Sequence, residues 1–181
     1  MPLKDLLFGF EGRIRRRDWW IWSIVTGVVY LVVYDLSAAL IGLDAYMITR
    51  GGQNAVLGNP VLPLTHSLVL TLAFLWPQTA LAAKRAHDRA DSAWLAVIAT
   101  IASSALSYWP FETYALSGSA LDNGDLFGGA GLISGLIILA VSLYLLVVLG
   151  FLDGTRGPNR FGRSPKGIGG DPADTAAAVF D

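Results

Sequence analysis

Residues 13–40 read RIRRRDWWIWSIVTGVVYLVVYDLSAAL, four arginines within five positions followed by a tryptophan cluster and an apolar run broken only by Asp35. At about 1.5 Å of rise per residue, the stretch from Trp19 to Leu40 is long enough for a ~30 Å hydrocarbon core. Trp19, Trp20 and Trp22 stand at its start and Tyr34 near its end, where amphipathic rings favour the two membrane–water interfaces. The stretch therefore reads as a membrane-spanning helix with a basic flank.

The same pattern repeats along the chain. Twelve of the thirteen Lys and Arg residues fall in three blocks: Lys4 with Arg13, Arg15, Arg16 and Arg17; Lys84, Arg85 and Arg89; and Arg156, Arg160, Arg163 and Lys166. Only Arg50 lies elsewhere. Three further apolar stretches separate the blocks, about Leu62 to Ala83, Trp94 to Trp109 and Leu132 to Leu152. Pro77 removes one helical hydrogen bond from the second, so a kink is expected there. Pro110 marks the expected exit from the third, and Gly131 with Gly135 gives the fourth the GxxxG spacing that allows close packing.

Four spans put both termini on one side. The connector from Asp44 to Val61 holds one basic residue, and the connector from Phe111 to Ala130 holds none. The positive-inside bias then places the block from Lys84 to Asp91, and both termini, in the cytoplasm. The expected fold class is an all-α membrane protein. Its four transmembrane helices form a bundle over residues 1–165, with a short interfacial helix within Leu3 to Phe10 and a mobile cytoplasmic tail over 166–181. The outer connectors carry Gly51-Gly52, Gly58-Asn59-Pro60 and Asp122-Asn123-Gly124-Asp125, and are expected to be irregular.

Composition agrees with that class. Of 181 residues, 54% are hydrophobic and 15% charged, with mean hydropathy +0.53, far from an average soluble chain. The net charge of -1 gives no support to nucleic acid binding. Absence of cysteine excludes disulfides, thiolate nucleophiles and cysteine metal sites. The N-terminal region does not read as a cleaved secretory signal, because its apolar span is too long and no small-residue cleavage site follows. No metal or cofactor is expected: Asp122 to Asp125 lacks the length and closing Glu of a calcium loop. Ser103 and Ser104 have no histidine in their span, so a serine hydrolase is unsupported.

Three polar motifs sit where the basic blocks meet the spans. The first leads from Phe10 through Arg13 to Trp20, and by itself it is a topology and lipid-headgroup signal. The second ends in Lys84-Arg85-Ala86-His87-Asp88. If its helix continues, Lys84 shares a face with His87, and Arg85 with Asp88, at i, i+3 spacing. The plainer alternative is a helix C-terminus whose cations complement the macrodipole. The third, Asp153 to Pro165, contains glycine and proline turns and Asn159, and reads either as an ordered loop that folds back on the others or, equally, as a plain solvated basic loop. Asp35 and His66 read as interfacial residues at the outer ends of the first two spans.

Gly12-Arg13 with Asp18-Trp19-Trp20, Arg85-Ala86-His87-Asp88 with Ser92-Ala93-Trp94, and Gly157-Pro158-Asn159-Arg160-Phe161-Gly162 resemble the successive motifs of the domain of unknown function 805 family. The resemblance runs from about Phe8 to Pro165. It implies a small multi-pass protein of the bacterial inner membrane and supplies site candidates, but no reaction. Ala86 and Ala93 depart from the Leu and Gly that the family commonly has there.

The expected function is non-enzymatic. Arg13, Arg85, His87, Asp88, Asn159 and Arg160 would form one polar site on the cytoplasmic face, binding anionic phospholipid headgroups, a small anion or a partner protein. A homo-oligomer or another membrane protein is the expected macromolecular partner. Two alternatives stay open. One is an oligomeric transporter or channel component whose path is marked by Pro77 and Asp35. The other is an enzyme acting on lipid, with His87 as general base beside Asp88.

Overall fold

A computed structural model describes residues 1–43, 47–50, 53–56, 61–117 and 129–167. In chain order these form α1 (Leu3–Phe8), α2 (Arg16–Leu40), the strands β1 (Met47–Arg50) and β2 (Gln53–Val56), then α3 (Val61–Asp88), α4 (Ala93–Ser117) and α5 (Gly129–Leu145). A π-helical turn, Leu146–Phe151, continues α5. The described residues thus form helices and one small hairpin. Two helical segments, Arg16–Leu40 and Thr65–Asp88, are long and apolar enough to cross a membrane, with mean hydropathies of 1.8 and 1.2.

Two expectations are corrected. The first connector is not wholly irregular: β1 and β2 pair antiparallel in the register Met47 with Val56 through Arg50 with Gln53. Pro110 does not end its helix, since α4 runs on to Ser117. A proline inside a helix removes one donor yet keeps a helical φ, so a kink is a permitted alternative to a stop. The expected turn at Asp122 to Asp125, the Gly51-Gly52 and Gly58-Asn59-Pro60 turns, and the tail from 168 onward lie outside the described residues.

Helix α3 is the hub. It packs against α1, α2 and α4 and touches the π turn, while α5 packs on α4 and its π turn reaches α2. The α3 helix continues past Ala83 to Asp88 and stops in a Schellman-type turn: Asp91 N–H bonds to Ala86 O at 3.1 Å and Ala90 N–H to His87 O at 3.0 Å. That turn needs a left-handed residue, and Ala90 supplies it at φ 62°.

Burial is inverted relative to a soluble protein. Along α2, Ile24, Val28, Leu31 and Val32 are exposed, and only 11% of its most apolar window is covered. The large side chains that are fully covered are Arg85, Lys84, Leu81 and Leu149. Soluble domains almost never bury Lys and Arg while exposing runs of Val, Ile and Leu. The two buried clusters are small and lie near the Arg16 end of α2. Ala82, Ala86, Ala96 and Leu149 pack with Trp19, and Leu6, Ile14 and Leu81 pack with Trp19 and Trp22. Small residues on α3 let its neighbours approach closely there.

Candidate functional site

The three polar motifs meet at this end of the bundle. Asp88 accepts two guanidinium groups, Arg13 Nη2 on Oδ1 at 3.0 Å and Arg85 Nη1 on Oδ2 at 2.5 Å, with all three side chains buried. The i, i+3 spacing of Arg85 and Asp88 on α3 makes the second pair local. The first joins residues 75 positions apart.

Arg13 distributes its remaining donors over the third motif. Nη1 bonds to Gly157 O at 2.9 Å and Gly162 O at 3.2 Å, while Nη2 also reaches Thr155 O at 3.0 Å. Thr155 ties the loop back to α3 through N–H and Oγ1, which donate to Asp88 O at 2.8 and 3.0 Å. Asn159 bonds through Nδ2 to His87 O at 2.9 Å and Thr155 Oγ1 at 3.0 Å, and its Oδ1 accepts from Phe161 N–H at 2.9 Å. Backbone bonds in both directions between Asn159 and Gly162, each 3.0 Å, close the turn. The approach is tight: a Cβ on Gly154 would stand 2.0 Å from Asp88 Oδ2.

A second set of bonds closes the end of α5. A π-helix bonds i to i+5, and its last such bond here runs from Leu152 N–H to Val147 O. The five following carbonyls lack helical donors. Side chains from α2, from α3 and from Arg89 just beyond it supply all five. Arg89 Nη1 takes Val148 O at 2.8 Å, Arg85 Nε takes Leu149 O at 2.8 Å, and Trp20 Nε1 takes Gly150 O at 3.0 Å. Arg16 Nη1 takes Phe151 O at 3.0 Å, and Arg85 Nη2 takes Leu152 O. Three arginines thus sit at the negative end of that helix, where cations are stabilised. Lys84 does the same for α1, donating to Leu6 O at 2.8 Å and to Gly9 O. The cations that end α3 therefore cap neighbouring helices, whereas a macrodipole reading of the sequence assigns them to α3 itself.

His87 and Arg160 occupy the rim. The His87 imidazole stacks on Phe161 with centroids 3.9 Å apart, and the Arg160 guanidinium stands 4.7 Å from the same ring. Arg160 Nη2 also bonds to Ala90 O at 3.2 Å. His87 Nδ1 lies 3.3 Å from Gly12 O, so that nitrogen carries the proton. Among the described residues no hydrogen bond joins the imidazole to Asp88, whose two carboxylate oxygens accept from Arg13 and Arg85.

All six residues singled out in the sequence thus lie in one contiguous network, but in two roles. Arg13, Arg85, Asp88 and Asn159 spend their hydrogen-bonding groups on protein atoms; His87 and Arg160 stand on its outer edge. The sequence reading left Lys84, Thr155, Trp20, Gly150 and Gly154 out of the site. The glycines had a signal, since two of them four residues apart flank the junction of helix and loop. No group of three or more His, Cys, Asp or Glu able to hold a metal occurs among the described residues.

A family model described as "Protein of unknown function (DUF805)" matches residues 7–163, which include all six of these residues. The chain belongs to that family. It is also similar to the "Uncharacterized protein YiiR" of Escherichia coli strain K12, 27% identical over 169 residues that cover 93% of each chain, and equally to that of E. coli O157:H7. No solved structure matches it.

Proposed function

We propose that this is a non-enzymatic, four-span protein of the bacterial inner membrane, with both termini cytoplasmic, whose polar end is a latch with a lipid-binding rim. Support for the spans comes from helix length: α4 has 25 residues, and α5 with its π turn has 17 and 6, each set covering a ~30 Å core at about 1.5 Å per residue. The orientation rests on the basic blocks, all of which gather at the latch end or in its loop.

The observation that carries the functional reading is the division of labour among the cations. Arg13, Arg85 and Lys84 are turned inward and engaged, so they hold α1, α3, α5 and the final loop together. Arg15, Arg17, Arg156, Arg160 and Lys166 stay exposed around them. Each basic residue at an anionic membrane surface contributes about 1 kcal/mol. Anionic phospholipid headgroups are therefore the ligand this rim fits, with His87 and Phe161 forming an aromatic floor beside Arg160.

Thermal unfolding in nanodiscs tests the lipid reading. Phosphatidylglycerol is expected to raise the midpoint relative to phosphatidylcholine, and Arg15→Gln with Arg17→Gln and Arg160→Gln to abolish the difference. Equal midpoints for the natural chain in both lipids would remove the proposal. Reporter fusions at the two ends test the topology independently: either one active only outside the cytoplasm contradicts it.

A further inference from the structure

A half-open cavity of about 90 Å³ lies between α2, α3 and α4, lined by Tyr30, Thr71, Phe74, Leu75, Gln78 and Ser104, with Gln78 exposed at its mouth. Counting helix rise from Arg16, Lys84 and Ala93, these residues stand roughly 9 to 21 Å from the latch end, within the hydrocarbon layer of the four-span reading. Four of the six carry a hydroxyl or an amide. Among the described residues no hydrogen bond reaches Tyr30 Oη or the side-chain amide of Gln78, although Tyr30 makes ring contacts with Tyr34 and Phe74. In a bilayer such groups find no bulk water, and leaving them unmet is costly.

We propose that this cavity is a water-filled polar site inside the membrane, holding a small cluster of waters hydrogen-bonded to Tyr30 Oη and the Gln78 amide. The volume allows it, since a water needs only about 10–15 Å³ of such space and two to four polar partners. The chemistry selects water over an ion: no carboxylate lines the cavity, and a cation there would carry uncompensated charge in a low-dielectric surround. On the latch side the site is sealed by Thr79 to Lys84, all buried.

The inference rests on the four-span reading, and one experiment separates the two. Millisecond X-ray radiolysis of the protein in nanodiscs makes hydroxyl radicals wherever water is held, and they label the adjacent side chains. Leu75 lines the cavity; Leu72, one turn away on the same helix, is exposed on its surface. Labelling of Leu75 at least tenfold above Leu72 is expected, falling to parity in the Tyr30→Phe, Gln78→Leu double variant. Absence of label at both leucines overturns the water site while leaving the membrane reading intact. Strong labelling of Leu72 overturns the membrane reading itself. Leu75 labelling undiminished in the double variant overturns the assignment to these two polar groups.

Discussion

The two ends of α3 follow opposite rules. Toward Leu68, Val69 and Leu72 its large apolar side chains are exposed; from Thr79 to Ala86 every residue is buried, two of them cations. The first region relies on its surroundings to cover it. The second is self-contained, with charges, carbonyls and small residues meeting at hydrogen-bond distance. In a membrane, apolar surface gives helices little reason to associate, and close packing with interhelical hydrogen bonds does that work. Specificity of assembly is thus concentrated where the polar groups are.

The largest effect that would break this comparison is loss of the shared carboxylate. Asp88→Ala leaves two buried guanidinium groups without their counter-charge and is expected to destabilise by about 3–5 kcal/mol, read from unfolding in detergent. A loss below about 1 kcal/mol would mean that the latch is not the stable core. Adding Asp88→Arg to Arg85→Asp is not expected to rescue, because Arg85 also caps two carbonyls and Asp88 also holds Arg13.

Glycine replacements compare the two regions directly. Gly154→Ala drives a methyl into Asp88 and is expected to cost about 1–3 kcal/mol by overpacking. Gly135→Ala meets nothing within 4 Å and is expected to gain about 0.5–1 kcal/mol from helix propensity. Equal effects at the two sites would erase the distinction. Ala90→Gly relieves the left-handed turn that ends α3 and is expected to stabilise by about 1 kcal/mol, visible as a raised unfolding midpoint. Trp20→Phe removes one of the five carbonyl caps and is expected to cost about 1 kcal/mol by the same measurement. The smallest effect belongs to the exposed face: Val28→Leu should stay within about 0.5 kcal/mol.

The length and apolarity that suit α2 and α3 to crossing a membrane were legible because a run of twenty apolar residues has few other uses, and the basic flanks marked its ends. The site was legible as a set of residue types at three places in the chain. What could not be read was how they divide. Arg13 and Lys84 bind mostly backbone oxygens, and a carbonyl carries no signature in a sequence. Pro110 shows a second limit: the residue permits either a stop or a kink, and nothing in the local sequence distinguishes the two. The strands β1 and β2 formed in a connector whose glycines suggested only irregular turns.

The partners of Arg13 have a temporal consequence. They lie 75, 144 and 149 residues downstream, so the guanidinium has no complete set of acceptors until the ribosome has passed residue 162. Helices can enter the bilayer one after another during synthesis, but the final connection between the first motif and the last waits for nearly the whole chain. A product that stops short would leave these cations unpaired, and so would differ visibly from a finished molecule to any protease that encounters it.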